Sequence, residues 1–401
     1  MKKIITLIIP LLLLVACDKN PEVFPVSLKQ QEVINSGNVF GFDLFRKINE
    51  TEIAAKNLFI SPLSISMALG MTLNGANANT LDEMKAAMYF SSLTNDEINK
   101  TYRYLLDNLI SLDPKVVMEI ANSIWYRNTF NVLPDFLTTN QTYFDAEVSP
   151  LDFDDPASKD VINKWVSDNT NSKIKTIIDE ITPEMVMYLI NAVYFKGQWK
   201  YQFDKSDTYE AEFEKSDGSK KSVSMMKLES DINFLSNELF RAVELPYGKG
   251  NYSMIVMVPK DNYDVNDIIE ELNEDNWNSW MDAMAESEDA KIHLPKFKFE
   301  YEIKLNDALQ ALGMSDAFQP GIADFTRINS DGGLYISEVK HKTFVEVNEE
   351  GTEAAAVTSV GIGYTSMPDN YLIANKPFLF VIKEKNTKAV IFIGKIMEPV
   401  F

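Results

Sequence analysis

Apolar positions along the chain fall first at helical spacing and later at strand spacing. Val33, Phe40, Leu44, Phe45 and Ile48 share one face of a helix. In 57–65 (N-L-F-I-S-P-L-S-I), Ser61 is placed to cap a helix with Pro62 at its first position, and the helix continues through Ala68, Leu69 and Gly70. Thr80-Leu81-Asp82-Glu83 has the spacing of a capping box and predicts another helix start. Helical patterning persists to about Ile110, and strand patterning begins near Val116. Asn163–Thr170, with Ile174 beyond, predicts one further helix and its end. Met187–Phe195 and Tyr252–Val258 are nearly continuous apolar runs, as in strands buried on both faces. Ile292–Phe299 alternates, Ile303–Leu312 reads as a helix stopped by Gly313, and Phe378–Ile382 with Ala389–Ile393 read as a closing hairpin. Helices early and strands late predict a large mixed α/β (α+β) domain, not an α/β barrel.

The first residues follow a different pattern. Met1-Lys2-Lys3 is a short positive region, and Ile4–Val15 is almost wholly apolar but too short to span a membrane comfortably. This is the pattern of a secretory signal, and its ending, Leu14-Val15-Ala16-Cys17, resembles a bacterial lipobox. That resemblance implies a leader at 1–16, lipidation of Cys17 and a lipid-anchored tether at 17–28. It also implies a bacterial cell-envelope location, facing the periplasm or the cell surface. The plainer alternative is an ordinary signal peptide with an incidental cysteine. No repeat, long low-complexity tract or interdomain linker follows, so residues 29–401 read as a single domain. Cys17 is the only cysteine, which excludes an internal disulfide, and a thiol nucleophile once it is acylated.

Net charge then narrows the partners. The whole chain carries a formal charge of −21, and loss of Lys2 and Lys3 from its 38 basic residues leaves 36 against 59 acidic ones. Phosphate recognition depends on clustered Lys and Arg, so nucleic acid is excluded as a partner, and no heparin-like accelerator or other cofactor is expected. The excess favours solubility, fits a monomer and steers cationic partners toward the protein.

One segment resists any helix or strand assignment. Val347–Thr358 reads V-N-E-E-G-T-E-A-A-A-V-T, and roughly twenty further residues pass without a clear element before Lys376-Pro377-Phe378; a connection that long inside one domain is usually functional. Written as a strand, 352–365 divides unequally. Thr352, Ala354, Ala356, Thr358, Val360, Ile362 and Tyr364 make an uncharged face, while the other face carries the lone charge, Glu353. Small residues occupy the end nearest Gly351, which suits a segment that must enter a tight space. Its extended length is roughly 45 Å.

These residues closely resemble the proximal hinge of the serpin family, whose exposed loop inserts into a β-sheet after a protease cuts it. Further segments resemble that family in order along the chain. They are N-L-F-I-S-P-L-S-I at 57–65, N-A-V-Y-F-K-G-Q-W at 191–199, A-D-F at 323–325, K-H-K-T-F-V-E-V at 340–347 and K-P-F-L-F-V-I at 376–382. The resemblance implies a serpin fold: a large central β-sheet, further sheets, surrounding helices and a reactive-centre loop. It implies a hinge at Glu349, Glu350, Gly351, Thr352, Glu353, Ala354, Ala355, Ala356 and Thr358. It also implies a buried shutter of Ser61, Ser64, Asn191 and His341, with Trp199 where the loop first enters. Family spacing puts the cleaved bond at Thr365–Ser366, with Tyr364, Ser366 or Met367 as alternative registers. The implied activity is suicide inhibition of serine-type endopeptidases, with no catalysis by the chain itself. No Lys or Arg lies between Thr352 and Asn375, which argues against trypsin-like targets. Thr365 suits an elastase-like pocket, and Tyr364 leaves chymotrypsin-like and papain-like proteases open. A non-inhibitory binding or carrier serpin is the alternative, although the small hinge residues keep the inhibitory pattern.

Enzymatic readings find little support. Neither His293 nor His341 accompanies a G-x-S-x-G elbow, and the chain lacks a P-loop, an H-E-x-x-H motif and a cysteine pair for zinc. Gly361-x-Gly363 lacks the third glycine of a dinucleotide site. His293 reads as structural.

Overall fold

A computed structural model of the chain describes residues 24–52, 55–352 and 370–401. Its helices are α1 (Leu28–Thr51), α2 (Pro62–Leu73), α3 (Ala78–Ala87), α4 (Asn95–Leu109), α5 (Pro134–Phe144), α6 (Ser158–Asp168), α7 (Val265–Glu270), α8 (Glu274–Ala283) and α9 (Asn306–Ala311). Strands β1 (Leu58–Ile60), β2 (Val116–Arg127), β3 (Glu147–Leu151), β4 (Met187–Gly197), β5 (Tyr209–Glu214), β6 (Lys220–Ser236), β7 (Phe240–Tyr247) and β8 (Tyr252–Pro259) come first. They are followed by β9 (Ala285–Pro295), β10 (Phe297–Lys304), β11 (Lys340–Asn348), β12 (Gly351–Thr352), β13 (Tyr371–Ile373), β14 (Phe378–Glu384) and β15 (Val390–Ile396). The fold is mixed α/β, as the order of the patterns predicts. None of the described helices is long and apolar enough to cross a membrane.

A nine-stranded sheet runs β1-β15-β14-β8-β7-β6-β9-β13, with β5 paired to β6. Its centre is apolar throughout: β8 and β15 are buried at every position, and β14 and β15 form the antiparallel hairpin that the sequence predicts. Two three-stranded sheets, β3-β2-β4 and β10-β11-β12, stand apart from it. Helix α2 is buried nearly all round, as expected of a helix apolar on every side. Helix α6 covers β2 and β4 through a second apolar cluster of Trp125, Phe153, Ile162, Val166 and Ile190.

Several expected boundaries move. Helix α3 begins at Ala78, so Thr80 lies inside it; its hydroxyl accepts from Asp324 N–H instead of capping the helix. The Ile292–Phe299 run divides at Lys296 into β9 and β10, and the following helix shrinks to α9 because β10 continues to Lys304. Strand β4 is not buried on both faces: Leu189, Asn191 and Val193 stay partly exposed, and among the described residues only one of its edges carries a ladder. At the start of the described chain, Phe24 packs edge-on against Tyr104 and its carbonyl accepts from Asn386. Ser27 then caps α1, so the chain is docked from Phe24 and helical from Leu28. Cys17 lies outside the described residues.

Candidate functional site: a slot one strand wide and its mouth

The two small sheets face one another across an opening that β12 enters. Gly351 and Thr352 pair antiparallel with Asn348 and Val347 of β11, and Gly351 bridges Gln198 just beyond β4, also antiparallel. Strands β4 and β11 therefore run parallel, separated at this end by one strand, or about 10 Å. Beyond the mouth, no ladder joins β4 to β11 among the described residues.

Backbone bonds and one ion pair fix the turn that feeds the mouth. Asn348 Oδ1 accepts from Glu350 N–H at 3.1 Å. The carbonyls of Glu350 and Glu349 accept from Trp199 N–H (2.9 Å) and Phe203 N–H (3.1 Å). Trp199 also donates its indole N–H to Asn348 O at 2.8 Å. Glu349 and Lys296 form a salt bridge at 3.1 Å with both side chains buried, and Thr208 donates to Glu349 Oε1 at 2.9 Å. Burial pushes the Glu349 carboxyl up, but its own backbone N–H, Thr208 and Lys296 outweigh that and hold it below the usual glutamate range.

Gly351 has φ +153, and a Cβ there would lie 1.9 Å from Gly197 O, so only glycine fits. Thr352 is buried with its hydroxyl 2.9 Å from the Tyr247 hydroxyl. Tyr247 stacks on Trp199 with ring centroids 4.4 Å apart. The first side chain after the hinge glycine thus sits on an aromatic floor built from β7 and the end of β4.

Farther along β11, His341 Nε2 accepts from Ser61 N–H at 3.0 Å. The Ser61 hydroxyl donates to Ile391 O at 2.8 Å and accepts from Ser64 N–H at 3.2 Å, capping α2 as the sequence predicts. Burial lowers the His341 pKa to about 3, so the ring stays neutral and keeps Nε2 as an acceptor. Thr343 ties the same strand to Phe59 O at 2.5 Å.

Ser61, Ser64 and His341 are brought together, but Asn191 does not join them. It donates to Asn122 Oδ1 at 2.7 Å and lies against Met67 Sδ, while its own Oδ1 is buried without a hydrogen-bond partner among the described residues. His293 lies elsewhere, on β9, 2.6 Å from the Tyr209 hydroxyl. Glu349, Glu350, Gly351, Thr352 and Trp199 meet at the mouth. Glu353, Ala354, Ala355, Ala356, Thr358, Tyr364, Thr365, Ser366 and Met367 lie outside the described residues. Sequence reasoning missed Lys296, Thr208, Tyr247 and Thr343. Only Lys296 left a signal, a cation following Ile292 and Leu294 on the inward-facing positions of an alternating run.

Comparison with known proteins bears on the whole chain. The family described as serpin (serine protease inhibitor) matches residues 35–399. The leukocyte elastase inhibitor of Xenopus tropicalis is 37% identical over 380 residues, covering 90% of this chain and 97% of that protein. Among solved structures, the native state of tengpin, a thermophilic serpin, is similar with a TM-score of 0.82 and 35% identity, over 95% of this chain and 97% of that one. Human thyroxine-binding globulin in complex with its hormone is also similar, with a TM-score of 0.82 and 26% identity, over 93% of this chain and 100% of that one. A family match over most of its length, an inhibitor relative and shared architecture show that this chain belongs to the serpin family.

Proposed function

We propose that the chain is a single-use inhibitor of serine-type endopeptidases that traps the acyl-enzyme by inserting its cleaved loop between β4 and β11. The observation that carries this reading is the one-strand separation of β4 and β11 at the mouth, where Gly351 and Thr352 lie between them, with no ladder joining the two strands among the described residues. Insertion would add ladder bonds along the facing edges of β4 and β11, which carry none beyond the mouth among the described residues, and this supplies a driving force. The resting form is then kinetically held. A protease attached at Thr365 would be drawn roughly 45 Å along the sheet. Distortion of its oxyanion hole and nucleophile would halt deacylation. The chain is consumed in the process, so it is no enzyme.

Elastase-like proteases are the proposed targets, because Thr365 suits a shallow apolar pocket and the Xenopus relative is named for inhibiting leukocyte elastase. Lipidation of Cys17 and tethering at the cell envelope are proposed from the leader pattern alone.

Incubation with an elastase, a chymotrypsin, a trypsin and a papain-like protease tests the reading. A complex that survives denaturation, with intact mass placing the cut at Thr365–Ser366, is the expected result with elastase. Clean cleavage without a complex across the panel, and no rise in thermal stability on cleavage, would overturn it. It would leave a binding role of the kind the globulin structure illustrates.

A further inference from the structure

Lys296, the buried cation beneath the hinge turn, has a second partner that the insertion reading does not use. Its ammonium lies 3.1 Å from Glu349 Oε2 and also sits over the Phe401 ring, 4.3 Å from the centroid. Phe401 belongs to neither apolar cluster and is exposed, so core packing does not account for its position. The chain leading to it is pinned. Asn57 Oδ1 accepts from the N–H groups of Met397 (2.7 Å) and Glu398 (3.0 Å), and Asn57 Nδ2 donates to Glu398 O at 2.7 Å. Lys221 pairs with the Glu398 carboxylate at 2.8 Å, and Lys298 N–H donates to Val400 O at 2.5 Å. These bonds tie 397–400 to the residue before β1, to β6 and to β10, and bring Phe401 to the junction of β9 and β10 where Lys296 stands.

The placement has an electrostatic consequence. An ammonium taken out of water loses hydration, and the negative face of an aromatic ring returns part of it. Attraction between Lys296 and Glu349 grows as water leaves the pair. Both side chains are nearly closed to solvent, at 5% and 2% exposure, with the ring lying against the ammonium. Glu349 in turn belongs to the turn at the mouth. Its carbonyl accepts from Phe203 N–H, and the carbonyl of Glu350 accepts from Trp199 N–H. Whatever holds the Glu349 carboxylate therefore holds the backbone that presents Gly351 and Thr352 between the strands.

We infer that Phe401 is a positioning residue for trapping: through Lys296 and Glu349 it steadies the turn that feeds the cleaved loop into the slot. The inference rests on the insertion reading above, but its first test needs no protease. Hydrogen exchange is followed at the Trp199 and Phe203 amides of the full chain. In F401A both should exchange about twofold to fivefold faster, the factor that an exposed cation–π contact corresponds to, while the amides of β8 keep their rates. F401W should restore the wild-type rates, and F401L, which has bulk but no aromatic face, should resemble F401A. In a K296M/E349Q background the ring has no cation to meet, so F401A should change nothing at these amides.

Unchanged exchange in F401A overturns the inference. So does F401L behaving as wild type, or an F401A effect that persists in the K296M/E349Q background, since either assigns the ring to packing alone. Acceleration that reaches β8 equally would be general destabilisation, and it overturns the inference too. A trapping assay with elastase separates the two ideas. F401A should need more inhibitor per protease trapped than the wild type, with F401W restored. Wild-type stoichiometry in F401A, beside faster exchange, would overturn the role in trapping. If the wild type traps nothing and gains no stability on cleavage, the insertion reading fails and takes that role with it, while the exchange rates still decide whether the ring steadies the turn.

Discussion

The nine-stranded sheet and the divided pair of small sheets solve the same packing problem in opposite ways. In the first, β14, β8 and β15 are buried and laddered on both sides, with aromatic stacks such as Phe59 on Phe392 closing the space between layers. In the second, β4 and β11 each keep one edge without a ladder among the described residues. Around that opening polar side chains (Asn122, Asn191, His341, Thr343, Glu349 and Lys296) are interspersed with apolar ones such as Val345, Val347 and Trp199. Apolar burial has no preferred partner, so it makes a scaffold that holds one arrangement by bulk. A buried polar network is stable only while every member is satisfied, and it can exchange partners when a strand arrives. Asn191 Oδ1 is buried without a hydrogen-bond partner among the described residues, and a buried acceptor left unpaired costs about 1–3 kcal/mol.

The largest effect is expected where the comparison is sharpest, at the mouth. Thr352→Arg would drive a guanidinium into a buried seat shaped for a small hydroxyl beside Tyr247, a penalty of several kcal/mol. The protein should fold, be cut in its loop and release the protease. Trapping at the wild-type stoichiometry on a denaturing gel would break the insertion argument outright.

Next comes the ion pair beneath the turn. Lys296→Met leaves the Glu349 carboxylate buried without its cation and should lower stability by about 3–5 kcal/mol in chemical denaturation. Adding Glu349→Gln should recover much of that, because it removes the stranded charge. If the single and double variants prove equally unstable, the pair contributes through packing and the electrostatic contrast between the sheets is overdrawn.

How much of this was legible beforehand depended on how local the cause was. Ser61 and Pro62 announced α2 because capping is decided within four residues, and Gly351 announced the turn because it follows the acidic pair Glu349-Glu350 and precedes a run of small residues. Thr80 misled because its hydroxyl is used by Asp324, a segment remote in sequence that no local pattern reports. Strand β4 read as doubly buried because its apolar composition cannot show that Leu189, Asn191 and Val193 stay partly exposed. Tyr247 could not have been singled out at all. Its role comes from crossing of β7 with the end of β4, a fact of topology and not of spacing.

Acid should weaken the divided region in a defined window. Burial lowers the His341 pKa to about 3 in the folded chain, against an ordinary histidine value of 6.5. As pH falls below 6.5 the unfolded chain takes up this proton first, so stability drops until about pH 3, by about 1.4 kcal/mol per pH unit at its steepest. His293, lowered to about 4 by burial and by Lys227 and Lys291, contributes in the same direction over a shorter range. His341→Gln keeps an acceptor for Ser61 N–H but cannot titrate, so its stability curve should be flatter between about pH 6 and pH 4 by roughly that slope. An unchanged slope would mean that the ring is not desolvated as the fold implies.

The finest probe of the comparison is a single oxygen. Tyr247→Phe deletes the hydroxyl that meets Thr352 while leaving the stack on Trp199 intact, so the aromatic floor persists and only the polar contact goes. Loss of one buried hydrogen bond should cost about 0.5–1.5 kcal/mol, and Thr352→Val should cost a similar amount from the other side. The double variant should cost less than the two singles added, since neither partner is then left unsatisfied. If the contact helps to seat the first residue in the slot, both singles should also need more inhibitor per protease trapped, because slower entry lets more protease escape. Additive costs with an unchanged stoichiometry would mean that the hydroxyls are neighbours without coupling. The seat at the mouth would then be shaped by the aromatic rings alone, which would make it resemble the apolar sheet more than the polar slot it opens into.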